Sequence, residues 1–311
     1  IVFYGVFLVS EGTVSMGGMV AAVLLSSRTL APLAQIANLF GRANNAKTSY
    51  KRLASFMEET QEDDVSEKNK GAIRREKLGS IEFKDTTYRY PEADLDTLRS
   101  INLSVNEGEK VAILGRNGSG KSTLMKLASG LFKASDGLVM YDGVDIKQLH
   151  TDDLSKSIGI VLQDVQLFSG SIRENITMGR EDINQDDLIN AGKLSGLDDF
   201  VSKIPGGYDL QLSDGGKGLS GGQRQSIALA RAIVHKPTHF ILDEPTSAMD
   251  MNAENIFISQ MGSIMQDSTM LIVTHRMPLL NLVDRIIVMN EGQIVEDGPK
   301  EEIINKLNQP R

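Results

Sequence analysis

The chain of 311 residues has no cysteine and only four histidines. Without thiols it can form no disulfide, run no thiol catalysis and build no Cys-rich metal centre, although this does not fix its compartment. Of His150, His235, His239 and His275, only His235 and His239 lie close together, flanking Pro237 ahead of an apolar strand. That arrangement reads as an ordinary surface pair and not as zinc ligands. An excess of positive charge is missing too: 33 Lys and Arg stand against 41 Asp and Glu, a net charge of −8. No broad basic field advertises nucleic acid. No internal repeat is visible, and the apolar start at Ile1, with neither a basic n-region nor a cleavage signal, is not expected to be a signal peptide. A start inside an apolar run is expected of the C-terminal part of a longer polypeptide.

Long apolar runs are confined to the beginning. IVFYGVFLV at 1–9 is about half the length needed to span a bilayer. A polar turn from Ser10 to Ser15 carries one acid, Glu11, and no base. Met16 to Phe40 is mostly apolar and small but contains Arg28 and Pro32. Arg42, Lys47, Lys51 and Arg52 follow it, so the positive-inside rule puts residue 42 onward in the cytoplasm and the 10–15 turn outside. An Arg in such a helix is expected to face a bundle interior or an aqueous path. Ala46, Tyr50, Leu53 and Met57 keep helical spacing. Residues 1–57 are therefore expected to be the C-terminal part of a transmembrane domain, and the polar, acidic 58–77 a linker. A domain over 78–311 begins where IEFKDTTYRY alternates like a strand.

Beyond that point short apolar strands alternate with helical segments: 110–114, 158–162, 240–242, 270–273 and 285–289, then an EGQIVEDG hairpin. A helix is expected at 122–129 and a helical insertion around 181–204. The pattern is α/β with a β-rich start. Ligands of open α/β sheets sit at the carboxyl ends of strands. The first strand runs into GRNGSGKST at 115–123, a G-x-x-x-x-G-K-[ST] loop. Its backbone N–H groups can wrap phosphate oxygens at a helix N-terminus, Lys121 adds positive charge, and Ser122 can ligate Mg²⁺. The strand at 240–242 ends in Asp243-Glu244, and two adjacent carboxylates after a buried strand are costly as packing. Their labour divides: Asp243 toward Mg²⁺, largely through water, and Glu244 toward the attacking water. His275, after the strand at 270–273, can bond a γ-phosphate and that water. Gln163 offers a neutral ligand for Mg²⁺ or water.

The remaining feature is Leu219-Ser220-Gly221-Gly222-Gln223 opening a helix. Five specified residues recur by chance roughly once in 10⁶ positions. With it, the chain resembles the ATPase of ATP-binding-cassette (ABC) transporters, of the exporter type that fuses membrane and ATPase domains. GRNGSGKST is similar to the family's Walker A, HFILDE to its Walker B, LSGGQ to its signature, Gln163 to its Q-loop, Ala248-Met249-Asp250 to its D-loop and His275 to its switch histidine. Tyr90 resembles the aromatic that stacks on adenine. The likeness covers 78 to about 305, and 1–57 resembles the last membrane helices of such exporters.

The resemblance implies an ABC-type P-loop ATPase with a mixed sheet and a helical subdomain, preceded by the C-terminal transmembrane helices of an exporter-type membrane domain. It implies ATP and Mg²⁺ held by Tyr90, Gly115, Asn117, Gly118, Gly120, Lys121, Ser122 and Thr123. Glu244, His275 and Gln163 act in hydrolysis, and Ser122, Gln163 and Asp243 attend the metal. Ser220, Gly221, Gly222, Gln223 and Asp250 contribute across a head-to-tail homodimer. LDEPTSAMD, LFSGSIRENI and RTLAPLAQIANLF look most like bacterial type I secretion exporters of adhesin or RTX-type proteins. That implies the bacterial inner membrane with a cytoplasmic ATPase, a periplasmic adaptor, an outer-membrane channel and a protein cargo, with no nucleic acid. Bacteriocin, peptide, drug and lipid exporters share most of the pattern. A DNA-repair ATPase would need a coiled coil splitting the cassette, and none lies between 123 and 219. A soluble cassette is disfavoured by 1–57, and a non-hydrolysing one by Glu244 and His275. One departure is that Ser213-Asp214 stand where exporters carry Gly-Glu, keeping the acid on a shorter side chain.

Overall fold

The computed structural model describes residues 2–62, 69 and 71–308. They fall into two units, Ile1–Lys68 and Asn69–Arg311. The first holds α1 (Val2–Ser10) and α2 (Met16–Glu62), a helix of 47 residues with Pro32 inside it. Among the described residues no helix is long and apolar enough to cross a membrane. This departs from the transmembrane expectation for 1–57. A span needs about 20 mostly apolar residues, whereas α1 is nine residues long in all and the apolar part of α2 is diluted by Arg28, Pro32, Gln35 and Asn38. No α1 side chain is buried, and Phe3, Tyr4, Phe7, Leu24, Leu25 and Phe40 all stand exposed. Helix α2 continues through Glu62, past residue 58 where the linker was expected to begin.

The second unit takes up chain from Asn69. Thr151 donates from both its backbone N and Oγ1 to Asn69 Oδ1, at 3.2 and 3.1 Å. Ile73 bridges to Leu149, and the Arg75 N–H donates to the Asp153 carboxylate at 2.9 Å. Arg74 pairs with the same carboxylate at 2.9 Å.

Its elements are β1 (Ile81–Tyr88), β2 (Leu98–Val105), β3 (Lys110–Gly115), α3 (Lys121–Ala128), β4 (Asp136–Tyr141), β5 (Val144–Asp145), α4 (Thr151–Ser157), β6 (Ile158–Val161) and β7 (Gly170–Ser171). After these come α5 (Ile172–Thr177), α6 (Gln185–Leu194), α7 (Asp198–Val201), β8 (Gln211–Leu212), α8 (Gly221–Ile233), β9 (His239–Asp243), α9 (Met251–Ile264), β10 (Thr269–Val273), β11 (Arg285–Asn290), β12 (Gln293–Pro299) and α10 (Lys300–Asn308). The main sheet runs β12-β11-β3-β10-β9-β6, parallel except for the β11–β12 hairpin. An antiparallel sheet, β2-β1-β4-β5, carries the β-rich start. The expected helical insertion is α6 and α7, and the mixed-sheet α/β class of the cassette holds.

Alternation along the parallel strands sorts their side chains into two cores. Ala112, Phe240, Leu242, Met270, Ile272 and Ile286 point to one side, where α5, α6, α8 and α9 cover them. Val111, Ile113, Ile241, Leu271, Val273 and Ile287 point to the other, against α3 and the antiparallel sheet. Every residue of β9 and β10 is buried, as expected where both faces of a parallel sheet are covered. Full burial of each large apolar side chain among them is worth roughly 1.5–3 kcal/mol, which makes this sheet the rigid frame.

His239 belongs to that frame, which corrects the surface reading for it, because the covered strand β9 carries its ring into the core. It is fully buried; its Nε2–H donates to the Gly79 carbonyl, and its Nδ1 meets Thr238 Oγ1 at 2.9 Å. Tyr141 packs edge-on against the ring, 5.2 Å between centroids. Burial holds the imidazole pKa below 6.5, although the Gly79 carbonyl and the Asp142 charge oppose it. The unfolded chain therefore binds more protons just below pH 6.5. His239 contributes stability fully above that value and loses it as pH falls through the folded-state pKa. Denaturant midpoints measured from about pH 7.5 to about pH 5.5 should fall less steeply in His239→Gln than in the parent chain.

Candidate nucleotide-binding site

Strand register determines where the polar residues meet. Val273 pairs with both Asp243 and Ile113, and Val161 pairs with Leu242. The carboxyl ends of β3, β10, β9 and β6 therefore finish at one edge of the sheet. There a cleft of about 680 Å³ is lined by Tyr90, Asn117, Gly118, Gly120, Lys121, Ser122, Thr123, Gln163, Asp243, Glu244 and His275, together with Thr97, Ser247 and Val273.

The loop between β3 and α3 forms the floor. At Gly115 φ is +155°, and a Cβ would run into the Met289 carbonyl and the Ser119 hydroxyl. At Gly120 φ is +97°, and a Cβ would lie 2.6 Å from Leu98 Cδ2. Glycine is required at both places. Gly120 also caps α3, leaving the first-turn N–H groups of that helix toward the cleft. Lys121 Nζ donates to the carbonyls of Gly115 and Arg116 at 2.8 and 3.0 Å, so its charge lies inside the loop. Burial lowers its pKa, and Asp243 and Glu244 pull it back up.

The acidic wall is Asp243-Glu244. Asp243 is buried, and its Oδ1 has no hydrogen-bond partner among the described residues. Burial raises its pKa against the Ser122 hydrogen bond and the Lys121 charge. An orphaned carboxylate oxygen beside a hydroxyl suits a hard cation that prefers oxygen ligands. Glu244 has φ +50°, a left-handed conformation that costs a residue with a Cβ on the order of 1–3 kcal/mol. Its N–H donates to the Val273 carbonyl at 2.9 Å, and its Oε1 lies 3.6 Å from His275 Nε2. Burial raises the Glu244 pKa first, His275 lowers it and Asp243 raises it further. Near the mouth, Tyr90 OH bonds Thr123 Oγ1 at 3.1 Å, and its ring meets Tyr88 and Phe132 edge-on.

The other sequence candidates lie outside this cleft. Ser220 caps α8 and Gln223 completes a capping box: Gln223 N donates to Ser220 Oγ at 3.2 Å, and Ser220 N to Gln223 Oε1 at 2.8 Å. LSGGQ is thus a helix start whose serine is exposed, with Gly221 and Gly222 in its first turn. Asp250 caps α9 through Ala253 N at 2.8 Å. Asp214 opens a short turn in which Gly215 N donates to Leu167 O at 3.1 Å, beside the chain that follows Gln163. Sequence reading missed Thr97 and Ser247. Ser247 sits within EPTSAMD and was legible there; Thr97 comes in by packing, under the Gly292 turn.

A phosphate-wrapping loop, an ammonium group, a paired acid and imidazole, and an aromatic at the mouth define a P-loop nucleotide-binding domain. Residues 98–247 match the family model described as "ABC transporter", and the chain carries an ABC transporter domain. It is 37% identical over 305 residues to the leukotoxin translocation ATP-binding protein LktB of Mannheimia glucosida, covering 98% of this chain and 42% of the relative. It is 37% identical over 300 residues to the leukotoxin export ATP-binding protein LtxB of Aggregatibacter actinomycetemcomitans, covering 96% of this chain and 42% of the relative. A solved bacterial Atm1-family ABC exporter with ATP bound superposes with a TM-score of 0.69 at 31% identity, over 74% of this chain and 40% of that one. The chain thus spans about two fifths of the length of the curated relatives it matches.

Replacing Lys121 with Ala should weaken ATP affinity by about 10-fold or more, the loss of a buried charge contact to phosphate. Titration with a fluorescent ATP analogue reads this directly.

Proposed function

We propose that this chain is the ATPase end of an exporter that works as a homodimer and secretes a large protein. The observation that carries the reading is a divided site. One subunit assembles Lys121, Ser122, Asp243, Glu244 and His275 in one cleft, while its own Ser220 helix start opens elsewhere. A two-fold, head-to-tail pair brings the exposed Ser220–Gly222 turn of each protomer onto the phosphates held by the other, and Asp250 lies along the same join.

In this reading Gly115–Gly120 and Lys121 hold the phosphates of ATP, and Tyr90 stacks on the base. Ser122, Gln163 and the orphaned Asp243 oxygen would hold Mg²⁺, which when bound neutralises charge on the β- and γ-phosphates. Glu244 takes a proton from a water aligned with His275, and the water oxygen bonds to the γ-phosphorus. The bond from that phosphorus to the β,γ-bridging oxygen breaks, and ADP departs with the electron pair. Lys121 balances the charge that builds on the oxygens. ATP binding closes the pair and hydrolysis releases it.

The membrane, the cargo and the accessory parts belong to the same proposal. The exposed apolar faces of α1 and α2, followed by Arg42, Lys47, Lys51 and Arg52, support a place among the helices of an inner-membrane domain with the ATPase in the cytoplasm. Relatives named for leukotoxin export support an RTX- or adhesin-type cargo, passed to a periplasmic adaptor and an outer-membrane channel.

Glu244→Gln should lower turnover by about 100-fold or more while ATP still binds, and an ATP-bound dimer should accumulate in size-exclusion chromatography. In the parent chain kcat should fall on acidification. Glu244 works ionised, and its raised pKa places that loss above 4.5, the ordinary value for the group. Mixing Lys121→Ala with Ser220→Ala subunits should restore one working site per mixed dimer. Normal cooperative turnover by each variant alone would overturn the shared site.

A further inference from the structure

Gln225 lies outside the cleft, yet it holds the backbone of the residue proposed as base. It sits on α8, five residues beyond Ser220, and is 2% exposed. Its side-chain amide makes two hydrogen bonds, both to the loop between β9 and α9. Nε2 donates to the Glu244 carbonyl at 3.1 Å, and Oε1 accepts from Ala248 N at 3.2 Å. A planar amide carries a donor group and an acceptor group side by side, so it satisfies a carbonyl and an N–H together, which neither a carboxylate nor a thioether can.

The loop it grips needs holding. Glu244 is in the left-handed region at φ +50°, and such conformations persist only where the surroundings over-determine them. A second strut acts on the same loop. Arg276 donates to the Ser247 carbonyl at 3.3 Å and pairs with Glu254 at 3.1 Å, and Glu254 accepts from Thr246 Oγ1 at 2.7 Å. That strut grips Thr246 and Ser247. The side-chain bond to the Glu244 carbonyl comes from Gln225.

Helix α8 does not depend on this amide for its own place. Ile227, Leu229, Ala230 and Ile233 anchor it in the core, and Arg231 donates to the carbonyls of Asn175 and Gln166 at 2.8 and 3.2 Å. Removing the amide therefore loosens the Glu244 loop before it frees the helix, leaving the Glu244 carbonyl only its bond from Ser247 N at 3.1 Å. We infer that Gln225 is a positioning residue for hydrolysis, fixing the Glu244 backbone so that its carboxylate faces the water and tying that carboxylate to the helix that begins at Ser220. The inference rests on Glu244 being the base, as proposed above.

The test uses the full chain with Gln225→Met, which keeps the volume and loses both hydrogen bonds, and with Gln225→Glu. Gln225→Met should lower kcat by about 10-fold or more while KM for ATP and the affinity for an ATP analogue change less than about 2-fold. Added to Glu244→Gln, it should lower turnover no further. The carboxyl introduced by Gln225→Glu regains an O–H donor when protonated, so the ratio of its kcat to that of the parent chain should rise as pH falls. Wild-type kcat in Gln225→Met, alongside loss of turnover in Glu244→Gln, overturns the positioning role and leaves the base in place. Normal turnover in Glu244→Gln itself overturns the base reading and this inference with it. Where Gln225→Met fails to fold, a flat pH ratio for Gln225→Glu overturns the role.

Discussion

The register of four parallel strands is the constraint on which the site depends. Val273 opposite Asp243 and Ile113, and Val161 opposite Leu242, bring four loops to one edge within reach of one small molecule. A slip of one residue would turn every side chain of a strand to the other face. With separate apolar cores on the two faces, that slip would bury the wrong set on both sides. Hydrophobic alternation thus positions catalytic chemistry, although none of the residues that enforce it is polar.

Desolvation then creates a charge problem that the site holds ready for a ligand. Asp243, Glu244 and Lys121 are withdrawn from water together, and burial pushes both carboxyl pKa values up and the ammonium pKa down. The Lys121 charge attracts both carboxylates while Asp243 and Glu244 repel each other, and one Asp243 oxygen is left without a hydrogen-bond partner among the described residues. A buried oxygen in that condition costs free energy until a cation or donor meets it. The backbone strain at Glu244 is of the same kind. It is offset by hydrogen bonds that reach the loop from α8 and from Arg276.

In the proposed dimer the LSGGQ segment uses an ordinary local rule to serve a larger assembly. Ser220 and Gln223 form a capping box such as starts many helices, and the two glycines keep the first turn bare. Bare N–H groups at a helix start attract anions. The cap is therefore complete as local structure, and in the proposed function its bare turn is the phosphate contact. Gln225, less than two turns on, links that start to the opposite end of the chemistry.

Much of this was legible in the sequence because it follows short-range rules. Alternating apolar runs predicted β3, β9, β10 and β11 to within a residue at each end, and GRNGSGKST, LDE and LSGGQ announced their turns and caps through glycine, serine and charge spacing. The first unit reads less well: its apolar composition suggested spanning helices, while the helix lengths and the hydropathy along α2 do not reach that threshold. Residues 69–77 looked like linker because their partners, Leu149, Thr151 and Asp153, are distant in sequence. For the same reason nothing near His239 announced a core histidine, since Gly79 and Tyr141 reach it only after folding. The sequence by itself determined which residues can bind phosphate and move a proton, because those capacities belong to residue type and local spacing. Only the tertiary structure decided that they share one cleft, that Ser220 lies outside it, and that Gln225 grips Glu244, because those relations come from long-range packing of the sheet.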